Sequence, residues 1–250
     1  MIKIMNLTKR YGKLLALDNL NLEISPGEIF GFLGPNGAGK TTTVKLLCGL
    51  LKPTNGQAIV GDIDIQKYPE EAKKIIGLVP DFPFVYKKLT GNEYLRFIGD
   101  LYDVREEDIA NKIPKYLEMF ELTPWANELI ENYSRGMQQK LVMASVLLHD
   151  PKVIILDEPL VGLDPKGARV MKEIFLNLSK RGTTIFMCTH TLEIAEHMCN
   201  RIAIIQGGKL TNMGTTDELR QQVKEGGNLE DIFLQLTGGS EYADLLKYLE

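Results

Sequence analysis

The segment Gly34-Pro35-Asn36-Gly37-Ala38-Gly39-Lys40-Thr41 constrains the fold of this chain more than any other stretch. It fits G-x-x-x-x-G-K-S/T and stands between an apolar run, Glu28 to Leu33, and a helical pattern with Val44, Leu47 and Leu51 on one face, which Pro53 is expected to end. A strand must therefore enter a tight backbone loop that opens directly into a helix, the building unit of an α/β sheet protein. Glycines let backbone N–H groups wrap phosphate oxygens, and the helix turns its positive end toward the same charge. Lys40 adds a point charge for the β- and γ-phosphates. Thr41 offers a hydroxyl to Mg²⁺, a cation that keeps most of its water in nucleotide sites and takes few protein ligands. Thr42 and Thr43 continue the run without separable roles. The alternative, a glycine turn that merely precedes a lysine, is disfavoured by the strand-to-helix context.

The rest of the chain extends the α/β pattern. Ile2, Ile4, Leu15, Leu17, Leu20, Leu22 and Ile24 alternate with polar residues as half-buried strands do, and Pro26-Gly27 forms a turn. Further strands are expected at Gln57 to Ile65, Ile75 to Val79, Val153 to Leu156, Thr183 to Cys188, Arg201 to Ile205 and Lys209 to Met213. Helices are expected at Gly136 to His149, Pro165 to Lys180 and Leu192 to Cys199. Asn92 to Leu129 reads as helical with breaks at Pro114 and Pro124, an all-helical insert between strand-bearing halves. Beyond Gly207-Gly208, two or three small helices are expected, jointed at Gly226-Gly227 and Gly238-Gly239.

With 250 residues the chain has room for one large domain carrying a smaller subdomain. Its formal charge of −4 argues against binding nucleic acid through bulk electrostatics. No apolar run approaches a membrane span, the N-terminus lacks the pattern of a secretory signal, and Cys48, Cys188 and Cys199 form no C-x-x-C, so reduced thiols in a cytosolic protein are expected.

Val153-Ile154-Ile155-Leu156-Asp157-Glu158 is a buried-strand pattern ending in two acids. Ligands of open α/β sheets bind at the C-terminal edges of strands, so the pair is a candidate for site chemistry. Asp157 fits the Mg²⁺-side carboxylate of a nucleotidase, and Glu158 fits a base or positioner for the attacking water. A solvated strand end is the bland alternative, which the phosphate loop weighs against.

At this point the chain, from about Met1 to Gly238, resembles the ATP-binding subunit of an ATP-binding cassette (ABC) transporter. The resemblance implies a P-loop NTPase core with a mostly parallel sheet, an N-terminal antiparallel β subdomain and an inserted α-helical subdomain. The core would occupy about 1–80 and 151–206, the helical subdomain about 81–150, a short extension 207–238 and a helical tail 239–250. Tyr11, in Leu7-Thr8-Lys9-Arg10-Tyr11-Gly12, matches the aromatic on which the family stacks adenine, and otherwise reads as a strand-edge tyrosine. His190, in Cys188-Thr189-His190, matches the switch histidine that contacts the γ-phosphate, and otherwise reads as a structural histidine.

Tyr133-Ser134-Arg135-Gly136-Met137 occupies the place of the L-S-G-G-Q signature, and Gly162-Leu163-Asp164 that of the D-loop. The resemblance implies that Ser134 and the Gly136 amide act in trans, closing on the γ-phosphate held by a second subunit in a head-to-tail dimer. Ser134 also reads as a helix N-cap, and the two roles can coexist.

Four residues in three motifs depart from the family pattern. Asp81 stands where glutamine is usual, shorter and charged, a further candidate for the metal side through water or a weakened link to the helical subdomain. Arg135 and Met137 replace Gly and Gln in the signature, and Val161 replaces a small polar residue. Arg135 either adds charge near the γ-phosphate or is a solvated helix-start residue. The form Y-S-x-G-M and the tail Leu229 to Gly238 resemble the exporter-type branch with six-helix permeases.

The resemblance implies an ATPase that uses ATP and Mg²⁺, pairs with an identical or different second ATP-binding subunit, and drives a separate permease from the cytoplasmic face of the membrane. The rival functions are a soluble ABC protein acting on ribosomes or DNA, and a regulator that binds ATP without productive turnover. Asp81-Phe82-Pro83-Phe84-Val85-Tyr86 is apolar for a connector. Its rings either pack within their own subdomain or, as the resemblance implies, line a groove for a short helix of the permease.

Overall fold

A computed structural model of the chain describes residues 1–221 and Phe233. Two sheets organise it. The first is an antiparallel sheet of β1 (Ile2–Tyr11), β2 (Leu14–Ile24), β4 (Asn55–Val60) and β5 (Ile63–Asp64), in the order β2-β1-β4-β5. The second holds six strands in the order β10-β9-β3-β8-β7-β6, where β3 is Ile29–Leu33, β6 Ile76–Val79, β7 Val153–Asp157, β8 Thr184–Thr189, β9 Arg201–Gln206 and β10 Lys209–Gly214. Its strands are parallel except β10, which runs antiparallel along the edge.

The larger sheet is covered on both faces, which is why its strands read as continuous apolar runs. Successive side chains still separate by the pleat. Ile29, Leu33, Ile154, Leu156, Ile185 and Met187 enter a core shared with the helical part, while Phe30, Phe32, Val153, Ile155 and Phe186 enter a core shared with the antiparallel sheet. The sheet lies between the two cores, so its strand ends are held from both sides.

The loop 34–39 leaves β3 and opens into α1 (Lys40–Leu47), and α2 (Pro69–Lys74) precedes β6. Between β6 and β7 lie α3 (Gly91–Leu101), α4 (Glu106–Met119) and α5 (Arg135–Leu148). Thr90 and Glu93 form a reciprocal cap on α3, Glu93 N–H donating to Thr90 Oγ1 at 3.2 Å and Thr90 N–H to Glu93 Oε2 at 2.8 Å. After β7 come α6 (Pro165–Lys180), α7 (Leu192–Met198) and α8 (Thr216–Gln221). No helix among the described residues is long and apolar enough to cross a membrane.

Several expected boundaries move. The 92–129 stretch breaks at 102–105, where Asp103 takes φ +55°, and not at Pro114, which lies inside α4. Ile109, Ile113 and Leu117 bury one face of α4, whereas Ala110 and Pro114 face solvent, so water can satisfy the carbonyl that the proline ring leaves without a donor. Pro124 does mark a change, sitting in a short 3-10 turn, Thr123–Trp125. The helix α1 ends at Leu47, ahead of Pro53, because Gly49 at φ +66° closes it. A turn at Gly61-Asp62 divides the strand expected over Gln57 to Ile65. The joints at Gly226-Gly227 and Gly238-Gly239, the segment Leu229 to Gly238 and the tail 239–250 lie outside the described residues, Phe233 aside.

Candidate nucleotide site

Gly39 takes φ +114°, and a Cβ there would stand 2.8 Å from the Ala16 carbonyl oxygen. Only glycine allows the loop to seat this tightly on β2. Ala38 is buried beneath it, its N–H donating to the Pro35 carbonyl at 3.2 Å. Lys40 Nζ donates to the carbonyls of Gly34 at 2.6 Å and Pro35 at 3.2 Å, so the loop's own oxygens satisfy the buried ammonium. Those are the bonds a phosphate oxygen would replace.

The loop forms one wall of a cleft of about 480 Å³, with Pro35, Asn36, Gly37 and Thr42 among its lining. Tyr11, at the end of β1, lines it as well and is 43% exposed, with Lys9 Nζ 5.1 Å from its ring. Asp157, Glu158 and Asp81 complete it.

The two acids at the end of β7 part company. Asp157 Oδ2 accepts from Thr41 Oγ1 at 3.2 Å, bringing together the end of β7 and the first turn of α1. Burial pushes the Asp157 carboxyl above the ordinary aspartate range, the Thr41 bond opposes this, and the charges of Glu158 and Asp81 add to the rise. A bound cation would reverse the balance. Glu158 adopts left-handed backbone, φ +51°, and its N–H donates to the Cys188 carbonyl at 2.9 Å. This conformation is unusual for a residue with a Cβ and is found at strained functional positions.

Glu158 is held by β8. His190 Nδ1 lies 2.7 Å from Glu158 Oε1, and Thr189 Oγ1 donates to Oε2 at 3.1 Å. The sequence reading singled out His190 and missed Thr189. Thr189 carries no local signal of this role; it follows from the parallel register, in which Asp157 faces Cys188 and the residues that follow each meet.

Ser134, Arg135, Gly136 and Met137 stand at the start of α5. Ser134 caps the helix, its Oγ accepting from Met137 N–H at 3.2 Å. A Cβ on Gly136 would come within 2.8 Å of the Gly162 carbonyl, so signature and D-loop touch through backbone. Leu163 packs on the core, and Asp164 caps α6, accepting from Gly167 N–H at 3.2 Å. Met137 is also packed on the core, and Val161 is 36% exposed. Among the described residues that line the cleft, none comes from 134–137. Asp81 is engaged by Arg135, whose Nη2 donates to its carboxylate at 2.9 Å and its carbonyl at 3.1 Å.

The cysteines take no part in the cleft. Cys48, Cys188 and Cys199 are buried, and burial raises each thiol, to about 12 for Cys48 and Cys199. Among the described residues no three His, Cys, Asp or Glu side chains converge as a metal-binding group. Mg²⁺ beside a nucleotide needs no such group, and the Thr41–Asp157 pair suits its small protein share.

A strand-loop-helix phosphate cradle on β3, with a carboxylate at the end of β7 one strand beyond β8 in the same mostly parallel sheet, defines a P-loop nucleotide-binding protein. The comparison with known proteins is more specific: the family described as ABC transporter matches residues 17–161, and this chain belongs to that family. It is 39% identical over 249 residues to the fluoroquinolones export ATP-binding protein MT2762 of Mycobacterium tuberculosis, covering 95% of this chain and 81% of that one. It is 36% identical over 239 residues to the Escherichia coli protein named "Probable multidrug ABC transporter ATP-binding protein YbhF", covering 94% of this chain but only 41% of the length of that relative. The dimeric ATP-binding cassette MJ0796, in a post-hydrolysis state bound to ADP and Pi, superposes with a TM-score of 0.78 at 28% identity, over 86% of this chain and 98% of that one.

Proposed function

We propose that this chain is the ATP-binding and hydrolysing subunit of an ABC transporter, pairing with a second ATP-binding subunit around two ATP molecules to drive a separate membrane permease in the export direction. The observation that carries the reading is the division of the site. One cleft gathers the phosphate loop, the Thr41–Asp157 pair and Glu158, while the Ser134 to Gly136 turn stands outside it. A site built in two pieces on one chain is completed by a second chain. The export direction is supported by the fluoroquinolones export relative and by the form Tyr133-Ser134-Arg135-Gly136-Met137.

In this reading Tyr11 stacks on adenine, and the amides of 34–39 surround the phosphates. Lys40 exchanges its two carbonyl partners for β- and γ-phosphate oxygens. Thr41 and Asp157 hold Mg²⁺, which when bound neutralises phosphate charge. Glu158 orients and deprotonates the attacking water, and Thr189 and His190 aim its carboxylate. His190, which matches the family's switch histidine, follows the γ-phosphate through its contact with Glu158. Ser134 and the Gly136 amide serve the facing subunit's nucleotide. The cassette spans 1–238, with 81–150 as its helical subdomain, and sits on the cytoplasmic face of the membrane through its permease.

The test is purification from detergent extracts followed by ATPase measurement with and without the copurifying membrane protein. A polytopic partner that raises Mg²⁺-dependent turnover is expected. Copurification with ribosomes or DNA instead, or ATP binding with no turnover under either condition, would overturn the reading.

A further inference from the structure

Two of the departures from the family pattern meet in space. Asp81 follows β6, and Arg135 begins α5, 54 positions later, yet Nη2 of Arg135 donates both to Asp81 Oδ1 and to the Asp81 carbonyl. The guanidinium lies 5.1 Å from the centre of the Phe82 ring, and its side chain passes over Gly162 in the D-loop. Arg135 therefore stands where three loops converge: the one after β6, the signature turn and the D-loop.

The pair has one foot in the nucleotide cleft. Asp81 lines it beside Thr41 and Asp157, and its charge contributes to the raised Asp157 carboxyl. Arg135 belongs to the turn outside the cleft, whose neighbour Ser134 caps α5. One turn further on, buried Gln139 donates through Nε2 to the Pro80 carbonyl at 3.3 Å, so α5 stays anchored to this loop even without the ion pair.

The ion pair itself is built to be exchanged. Its side chains are 43% and 53% exposed, the range in which an ion pair contributes little and is screened by solvent. Both contacts use a single guanidinium nitrogen. A phosphate offers more charge and a bidentate match to the planar fork.

We infer that Asp81 and Arg135 form an exchangeable ion pair: without nucleotide Asp81 holds the guanidinium beside its own cleft, and on dimer closure Arg135 leaves Asp81 for phosphate charge in the facing subunit. This rests on the two-subunit site proposed above. Arg135 is then a phosphate-directed residue of the signature turn, and Asp81 a positioning residue that opposes closure until nucleotide arrives.

The consequence is an opposition of signs that a structural strut would not produce. The measurement is the ATP concentration giving half-maximal dimer by analytical ultracentrifugation, in a Glu158→Gln parent that accumulates the ATP-bound form. Asp81→Asn removes the charge that holds Arg135, leaving the backbone carbonyl contact, and is expected to lower that concentration about two- to fivefold. Arg135→Gln removes a charge-assisted contact and is expected to raise it about tenfold. The double variant should match Arg135→Gln alone, since Asp81 has nothing left to hold. Arg135→Lys, which keeps charge but not the fork, should fall between. Shifts of the same sign for Asp81→Asn and Arg135→Gln, or equal values for parent and all variants, would overturn the exchange while leaving the two-subunit site intact. Failure of the parent itself to dimerise with ATP would overturn that site and the exchange with it. Melting curves confirm that each variant is folded.

Discussion

His190 Nδ1 lies 2.7 Å from Glu158 Oε1 while Thr189 Oγ1 donates to Oε2, so two consecutive residues at the end of β8 grip both oxygens of the carboxylate proposed as the base. The grip reaches across the parallel β7–β8 pair and uses the left-handed backbone of Glu158. A water that Glu158 is to polarise must share or displace one of these partners. His190, 59% exposed against 12% for Glu158, is the partner with room to move.

Glu158→Gln should retain ATP binding and lose turnover by at least about a hundredfold, because the amide keeps the shape and loses the base. Thr189 can still donate to the amide oxygen. Steady-state ATPase assays and gel filtration check both halves: a slow enzyme that accumulates as an ATP-bound dimer is expected, and wild-type turnover would remove Glu158 from the mechanism.

Lys40→Ala should weaken ATP binding and abolish hydrolysis, since it removes the charge now held by the Gly34 and Pro35 carbonyls without altering the glycine backbone. Calorimetry with ATP is the check. Unchanged affinity would mean that the cleft does not bind phosphate through this loop.

Tyr11→Ala should cost about 0.5–1.5 kcal/mol of ATP affinity, the worth of one aromatic stacking surface. The exposed ring has little packing to lose, so the melting temperature without nucleotide should barely change. Equal ATP affinity in the two proteins would return Tyr11 to a strand-edge role.

Asp157→Asn should raise the melting temperature of the nucleotide-free protein at neutral pH by a few degrees while destroying Mg²⁺-dependent turnover. Burial raises the Asp157 carboxyl, so its ionised form penalises the folded state. The sign follows: the penalty is full above the raised folded value and vanishes below the ordinary aspartate value near 3.8. The gain from asparagine should therefore shrink as pH falls into that window. A variant less stable than wild type at neutral pH would show that the carboxylate contributes more through Thr41 than burial costs.

Phe84→Ala should leave melting and ATP binding of the isolated subunit unchanged and weaken copurification with the permease, because the ring is 80% exposed. Tyr86 meets Phe97 edge to face at 5.4 Å, so Tyr86→Ala should show the same loss of partner together with a small loss of stability. Full copurification of Phe84→Ala would remove that ring from the docking surface.

Local physics made part of this protein legible from its residues alone. The loop Gly34 to Thr41 needs only its own glycines, lysine and threonine, and the double-sided burial of β3 and β7 is written in their unbroken apolar runs. Asp157 and Glu158 stand at a strand end because the apolar run stops there. Tertiary structure decided what depends on distant neighbours. Burial of one face carries α4 through Pro114, although proline alone argues for a break. The register of β7 against β8 places Thr189 on Glu158, and two adjacent acids that sequence presents as a pair take different partners, Thr41 for Asp157 and Thr189 with His190 for Glu158. Asp81 and Arg135 read separately as two unexplained departures; the packing of α5 against β6 brings them within 2.9 Å. Periodicity and propensity report forces along a few residues of chain, whereas charge partners and strand register are set by packing across the whole sheet.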